Sequence, residues 1–179
     1  MSKTHDAQQK NHSSIKRQWI IGAIAVLIIA AIAIIAMPKK SHDMTEDSHS
    51  PMFKKQGTLT FLKKPALPIT TIDIEIADDD SKREVGLMGR PTMEEQQGML
   101  FVFEQAQFQS FWMHNTILPL DMLFIDASGT IKTIHKNTTP FSDQTYQSTA
   151  PVIDVLEVLG GFTDKYNISV GDRIEWKRE

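Results

Sequence analysis

From Phe111 to Asp121 the chain reads Phe-Trp-Met-His-Asn-Thr-Ile-Leu-Pro-Leu-Asp, so an imidazole, a carboxamide, a hydroxyl and a carboxylate fall within eight residues. A His114–Asp121 pair would orient an imidazole for proton transfer. Asn115 would then donate to a developing oxyanion. Trp112 and His114 share strand parity and should face one side. The same residues have a plainer use. Asn and Asp at loop ends hydrogen-bond neighbouring backbone, and a Trp between apolar strands belongs in a core.

Arg90 and Glu157 form a second candidate set. If Val152 to Leu159 is a strand, Glu157 lies on the face of Ile153, Val155 and Leu159, and a carboxylate on an apolar face must be paired or protonated. Arg90 is the expected partner and Arg83 the alternative, either as a structural ion pair or as a guanidinium fork that reads an anionic ligand. Met88, Met93, Met99, Met113 and Met122 with His114 are soft donors suited to Cu(I), yet the apolar core pattern already explains most of them. His42 and His49 stand alone in a polar spacer. Neither a metal nor a cofactor is therefore expected. The zincin, nucleophile-elbow, phosphate-loop and dinucleotide signatures are absent. Asn137-Thr138-Thr139 and Asn167-Ile168-Ser169 match the glycosylation triplet, which is common by chance.

Composition narrows the classes further. The chain has no cysteine among its 179 residues, which excludes thiol nucleophiles, disulfides and zinc-thiolate sites. With a net charge of −3 and basic residues never clustered beyond pairs, no nucleic-acid footprint is expected.

These groups must be positioned by the C-terminal part of the chain, because the N-terminal part reads differently. Residues 1–18 are a polar tail. Residues 19–37 (WIIGAIAVLIIAAIAIIAM) carry no charge and as a helix would reach ~28 Å, enough to cross a bilayer as a signal anchor. Trp19 suits the interface. Cleavage near Ala33 and secretion is the alternative. Four basic residues lie on each side of the span (Lys3, Lys10, Lys16 and Arg17; Lys39, Lys40, Lys54 and Lys55), so charge alone does not orient it. A short tail before a single span favours the tail inside and the domain outside the cytoplasmic membrane. Residues 38–56 read as a flexible spacer, and 57–179 as one domain of a size that supports one core.

Within that domain Ile72, Ile74 and Ile76 alternate with polar residues as a half-buried strand does. Ser81 and Glu84 match a capping box for a helix over about 82–88, stopped by Gly89 and Pro91. Met99–Phe103, Phe108–Met113 and Leu120–Ile125 are strand-length apolar runs, and Asp126–Gly129 should turn the last into a hairpin with Thr130–Lys136. Val152–Leu159 fits strand and helix patterns alike, and strand is the reading adopted. Phe162–Tyr166 reads as a helical turn and Asp172–Trp176 as a closing strand. The expected fold is mainly β, a compact antiparallel sandwich or partly open barrel with one or two short helices.

Taken in order, Glu84-Val-Gly-Leu-Met-Gly-Arg90-Pro, Gly98-Met-Leu-Phe-Val-Phe103, Phe111-Trp-Met-His-Asn-Thr116, Pro119-Leu-Asp-Met-Leu-Phe-Ile-Asp126, Leu156-Glu157-Val and Gly171-Asp172 resemble the prokaryotic family catalogued as domain of unknown function 192. The resemblance covers about residues 57–176. It implies a small β-rich domain, commonly exported behind a signal peptide or anchor, and no established reaction. His114 stands where relatives usually carry lysine, which weakens a shared acid–base role at that position. The weight then moves to Arg90, Trp112, Asn115, Asp121 and Glu157 as a set that binds a small polar or anionic envelope ligand. A hydrolytic enzyme using His114 and Asp121, or an accessory module docking an envelope protein, remain the alternatives, and whether the domain is an enzyme stays open.

Overall fold

The alternation at Ile72, Ile74 and Ile76 does form a strand: a computed structural model of the protein describes residues 52–179 and places them in β2 (Leu67–Ala77). Around it lie β1 (Gly57–Lys63), α1 (Asp80–Val85), β3 (Gln97–Gln107), β4 (Ser110–Phe111), β5 (Leu120–Ile125), β6 (Ile131–His135), β7 (Tyr146–Gln147), β8 (Val152–Leu159), α2 (Phe162–Lys165) and β9 (Arg173–Arg178). Seven strands make one sheet in the order β6-β5-β8-β3-β2-β1-β9, and β4 pairs with β7 alone. All pairings are antiparallel except β2 with β3. That parallel pair needs a crossover, and α1 lies in it. The two edge strands meet at one end through a Thr130–Arg173 bridge, with Ile131 N donating to Asp172 O at 2.9 Å and Ile174 N to Gly129 O at 2.8 Å. The sheet is therefore a curled half-barrel, the partly open form among those expected.

Parity divides the apolar residues into two cores. Inside the curl, Leu59, Phe61, Ile72, Ile74, Leu100, Leu123, Leu156 and Val158 pack under Phe162 of α2. On the other face Met99, Phe101, Met122, Phe124 and Val155 are covered by Leu87, Met113 and Tyr146 from the connecting segments. The interior strand β8 is hence apolar on both faces, which is why its sequence shows no clean alternation. Gly98 lets β3 approach it closely: a Cβ there would stand 2.8 Å from the Glu157 carbonyl oxygen.

Local capping departs from expectation. Asp79, not Ser81, caps α1, its Oδ1 accepting from Lys82 N at 2.8 Å. The aspartates before Ser81 supply an earlier cap, which moves Ser81 inside the helix. The helix ends at Val85 because Gly86 takes φ 48°, one turn before Gly89. Of the expected strand 108–113 only Ser110–Phe111 pairs, since Gln109 and Met113 turn instead to Ser148 and Ser142.

The tail 1–18, the apolar segment 19–37 and most of the spacer 38–56 lie outside the described residues. Among the described residues no helix is long and apolar enough to cross a membrane. Lys54 and Gln56, at the end of the assigned spacer, already dock on β2: Lys54 N donates to Glu75 Oε1 and Ile76 N to Gln56 Oε1, each at 2.8 Å.

Asp121 is a structural residue. It faces the inner core opposite Val158 and is fully buried. Its Oδ1 accepts from Asn137 N (2.8 Å) and Gly161 N (3.1 Å), and its Oδ2 from Thr163 N (2.9 Å) and Thr163 Oγ1 (2.6 Å). One carboxylate thus ties β5 to α2 and to the segment after β6. Asp121→Ala should orphan these donors and cost about 3–5 kcal/mol of folding stability, read as a lowered urea midpoint of the full chain.

Candidate functional site

Strand register sets the site. Glu75 on β2 pairs with Met99 on β3, Met99 with Glu157 on β8, Glu157 with Met122 on β5, and Met122 with His135 on β6. Directly paired residues point to the same side, so Glu157 stands on the outer face of the sheet between two methionines. It is 4 % exposed. Its carboxyl has no hydrogen-bond partner among the described residues, and burial alone pushes it up to about 8. At neutral pH this group is mostly a carboxylic acid, able to donate.

The acid opens onto a cavity of about 270 Å³, close to the ~300 Å³ lower end of small-molecule sites. Phe101, Phe103 and Phe111 wall it, with Phe111 edge-on to Phe101 at 4.9 Å and to Phe124 at 5.9 Å. The segment after α1 closes one side, and Gly86 matters there. A Cβ at that position would stand 3.1 Å from the Phe101 ring, in a backbone conformation that already favours glycine. Arg83 stands at the rim over Phe103, 5.3 Å from its centroid, held by Val102 O and Asp80. Gln109 also lines the cavity, and its Nε2 is buried without a partner. Thr116 is buried there and donates to His114 O at 3.2 Å. Trp112, 51 % exposed, forms the mouth.

The residues singled out from sequence separate. Trp112 and Glu157 share this cavity. Arg90 does not meet Glu157: it is buried against Glu75, with Nη2 2.6 Å from Oε2. That contact is close but poorly directed, since Glu75 Oε2 and Arg90 Nε both lack a partner of hydrogen-bond geometry. Register explains the choice, because Glu75 lies two strands from Glu157 with Met99 between them. His114 does not meet Asp121 either. Its Nδ1 lies 2.8 Å from Asp143 Oδ1 and its ring stacks on Trp112 at 5.1 Å, while Asp121 faces the inner core. Asn115 is exposed at φ 52° and its carbonyl accepts from Gly89 N at 2.9 Å, a turn role. Among the described residues no three His, Asp or Glu side chains converge as a metal site needs. Gln109 and the α1 wall were missed. The one trace of Gln109 in the sequence is an amide interrupting the aromatic run from Phe108 to Trp112.

A family model for domain of unknown function 192, described as "Uncharacterized ACR", matches residues 62–176. No curated protein matches. A crystal structure from Sinorhizobium meliloti 1021, named as a candidate transcription regulator, is similar at 39% identity with a TM-score of 0.66, covering 70% of this chain and 97% of that one. A protein of unknown function from Novosphingobium aromaticivorans DSM 12444 is similar at 28% identity and TM-score 0.63, over 66% of this chain and 84% of that one.

The Glu157 environment bears on stability. The folded state holds a proton that the unfolded chain releases near the ordinary 4.5, so stability is full below that value and falls as pH rises toward about 8. Asp154, on the opposite face of β8, is pushed up to about 6 by burial and adds to the fall in its own range. Glu157→Gln isolates the first contribution. Relative to the variant, the wild-type chain should lose about 1.4 kcal/mol per pH unit between pH 5 and pH 8 in urea unfolding, and parallel profiles would remove the buried acid.

Proposed function

We propose that this chain, which belongs to the domain of unknown function 192 family, is an exported, membrane-tethered domain that binds a small polar or anionic organic molecule in the Glu157 cavity. The observation that carries the reading is the buried, unpartnered carboxyl of Glu157 opening onto aromatic walls. A group in that state is costly for the fold unless a ligand uses it. The polar groups around the cavity are mainly donors: the neutral acid, the free Gln109 amide and the Arg83 guanidinium. A ligand that fits them presents acceptors at one end and an apolar body to Phe101, Phe103 and Phe111. Trp112 at the mouth supplies a stacking wall.

The tether is the apolar segment 19–37, anchored in the cytoplasmic membrane with the domain on the outer side. The hydrolytic alternative has lost its catalytic pair, since Asp121 is consumed by α2 and the segment after β6. The regulator name carried by the Sinorhizobium meliloti protein does not favour nucleic acid for this chain, because most basic side chains among the described residues are paired with acids, as Lys82 and Arg178 are with Asp78.

Two measurements test this reading. A fragment library of small acids, amides and ketones, observed by protein NMR on the full chain, should shift resonances of the Glu157 surroundings, and Ser110→Trp at the exposed rim should weaken every hit at least tenfold. A library that leaves those resonances still would end the ligand reading. Protease added to intact spheroplasts should digest the domain, and full protection would overturn the outward orientation.

A further inference from the structure

We propose that the cavity takes a monocarboxylate with a short apolar body, held by a proton shared between its carboxylate and the Glu157 carboxyl. This rests on the ligand-site reading above and names the ligand class. Two polar groups that line the cavity are without a partner among the described residues: the Glu157 carboxyl, which burial alone perturbs, and the Gln109 Nε2. A carboxylate has two acceptor oxygens and can satisfy both at once. A ketone or ester brings one strong acceptor and leaves a buried donor unpaired. An ammonium group faces the Gln109 amide and the Arg83 cation, which both disfavour it. A phosphate brings more charge and more oxygens than these donors satisfy.

The charges around Glu157 agree. Its flanking neighbours on β3 and β5, Met99 and Met122, are uncharged. One strand further out, Glu75 is engaged by Arg90, and His135 is 2.8 Å from Gln147 O through Nε2. Gln109, Thr116 and Trp112 carry no charge. From α1 come Arg83 at the rim and the exposed Glu84 beside it. An entering carboxylate therefore meets one acid, and two carboxyl groups in a low-dielectric site hold one proton between them readily but cannot both ionise. The ligand arrives ionised, the proton stays on the Glu157–ligand pair, and no bond other than hydrogen bonds is made or broken.

The proton makes the test specific. Isothermal titration of the full chain with phenylacetate, phenylacetamide and phenethylamine should give binding of phenylacetate in preference to the others at pH 7. Because the competent form of Glu157 is the acid, whose pKa is raised to about 8, phenylacetate affinity should fall about tenfold from pH 7 to pH 9, with a proton taken up from buffer at the higher pH. Glu157→Gln, which keeps a donor but has no proton to lose, should show no fall in phenylacetate affinity from pH 7 to pH 9, whatever affinity it retains at pH 7. Binding of the amide or the amine in preference to phenylacetate overturns the carboxylate assignment and leaves the ligand site standing. A wild-type affinity unchanged between pH 7 and pH 9 overturns the shared proton. Failure of all three compounds to bind rejects this inference, whereas the ligand-site reading falls only if the wider fragment library is silent too.

Discussion

A carboxyl group on an interior strand of a sheet covered on both faces has three ways to exist: paired with a cation, bonded to several donors, or protonated. The structure uses all three on neighbouring positions of one sheet. Glu75 takes a cation, Arg90. Asp121 takes four donors from the backbone and side chain of other segments. Glu157 has neither and keeps its proton well above the ordinary carboxylate range. The architecture of the outer face follows from that last choice, because an apolar enclosure is what holds the acid neutral and what gives the cavity its aromatic walls.

Register decides which acid does which job. Asp121 pairs with Val158 and Met122 with Glu157, so two carboxylates on adjoining strands, offset by one position, emerge on opposite faces. One points into the half-barrel and fastens α2. The other points under the α1 segment and into the cavity. A single-residue slip between β5 and β8 would bring both carboxyl groups to the same face, and the apolar residues on both faces oppose it.

Much of the fold was legible along the chain. The period of two in β2, the turn residues after Ile125 and the glycine-terminated run of β8 each reflect a local requirement of backbone or pleat, and such requirements leave a mark on neighbouring residues. The edges of α1 were less legible because several acceptors in Asp78–Ser81 compete for one cap. The Phe108–Met113 run has the composition of a strand, but its backbone bonds mostly go to loop residues near Ser142 and Ser148, far along the chain. The pairing of Arg90 with Glu75, and of His114 with Asp143, are likewise contacts between segments whose separation in sequence conveys nothing about distance.

By itself the sequence determined that the C-terminal domain is mainly β, that no cysteine chemistry is available, and that Glu157 is a carboxylate on an apolar strand face in need of a partner or a proton. Those properties depend on residue type and short-range periodicity. The choice between partner and proton was made by packing in three dimensions. It gave Arg90 to Glu75, sent Asp121 to the other face, and brought Gln109, Arg83 and three phenylalanines around the acid that was left. Charge state in a protein interior is set by everything within a few ångströms, and those neighbours come from β3, β5, α1 and the segment around β4, which meet only when the sheet has formed.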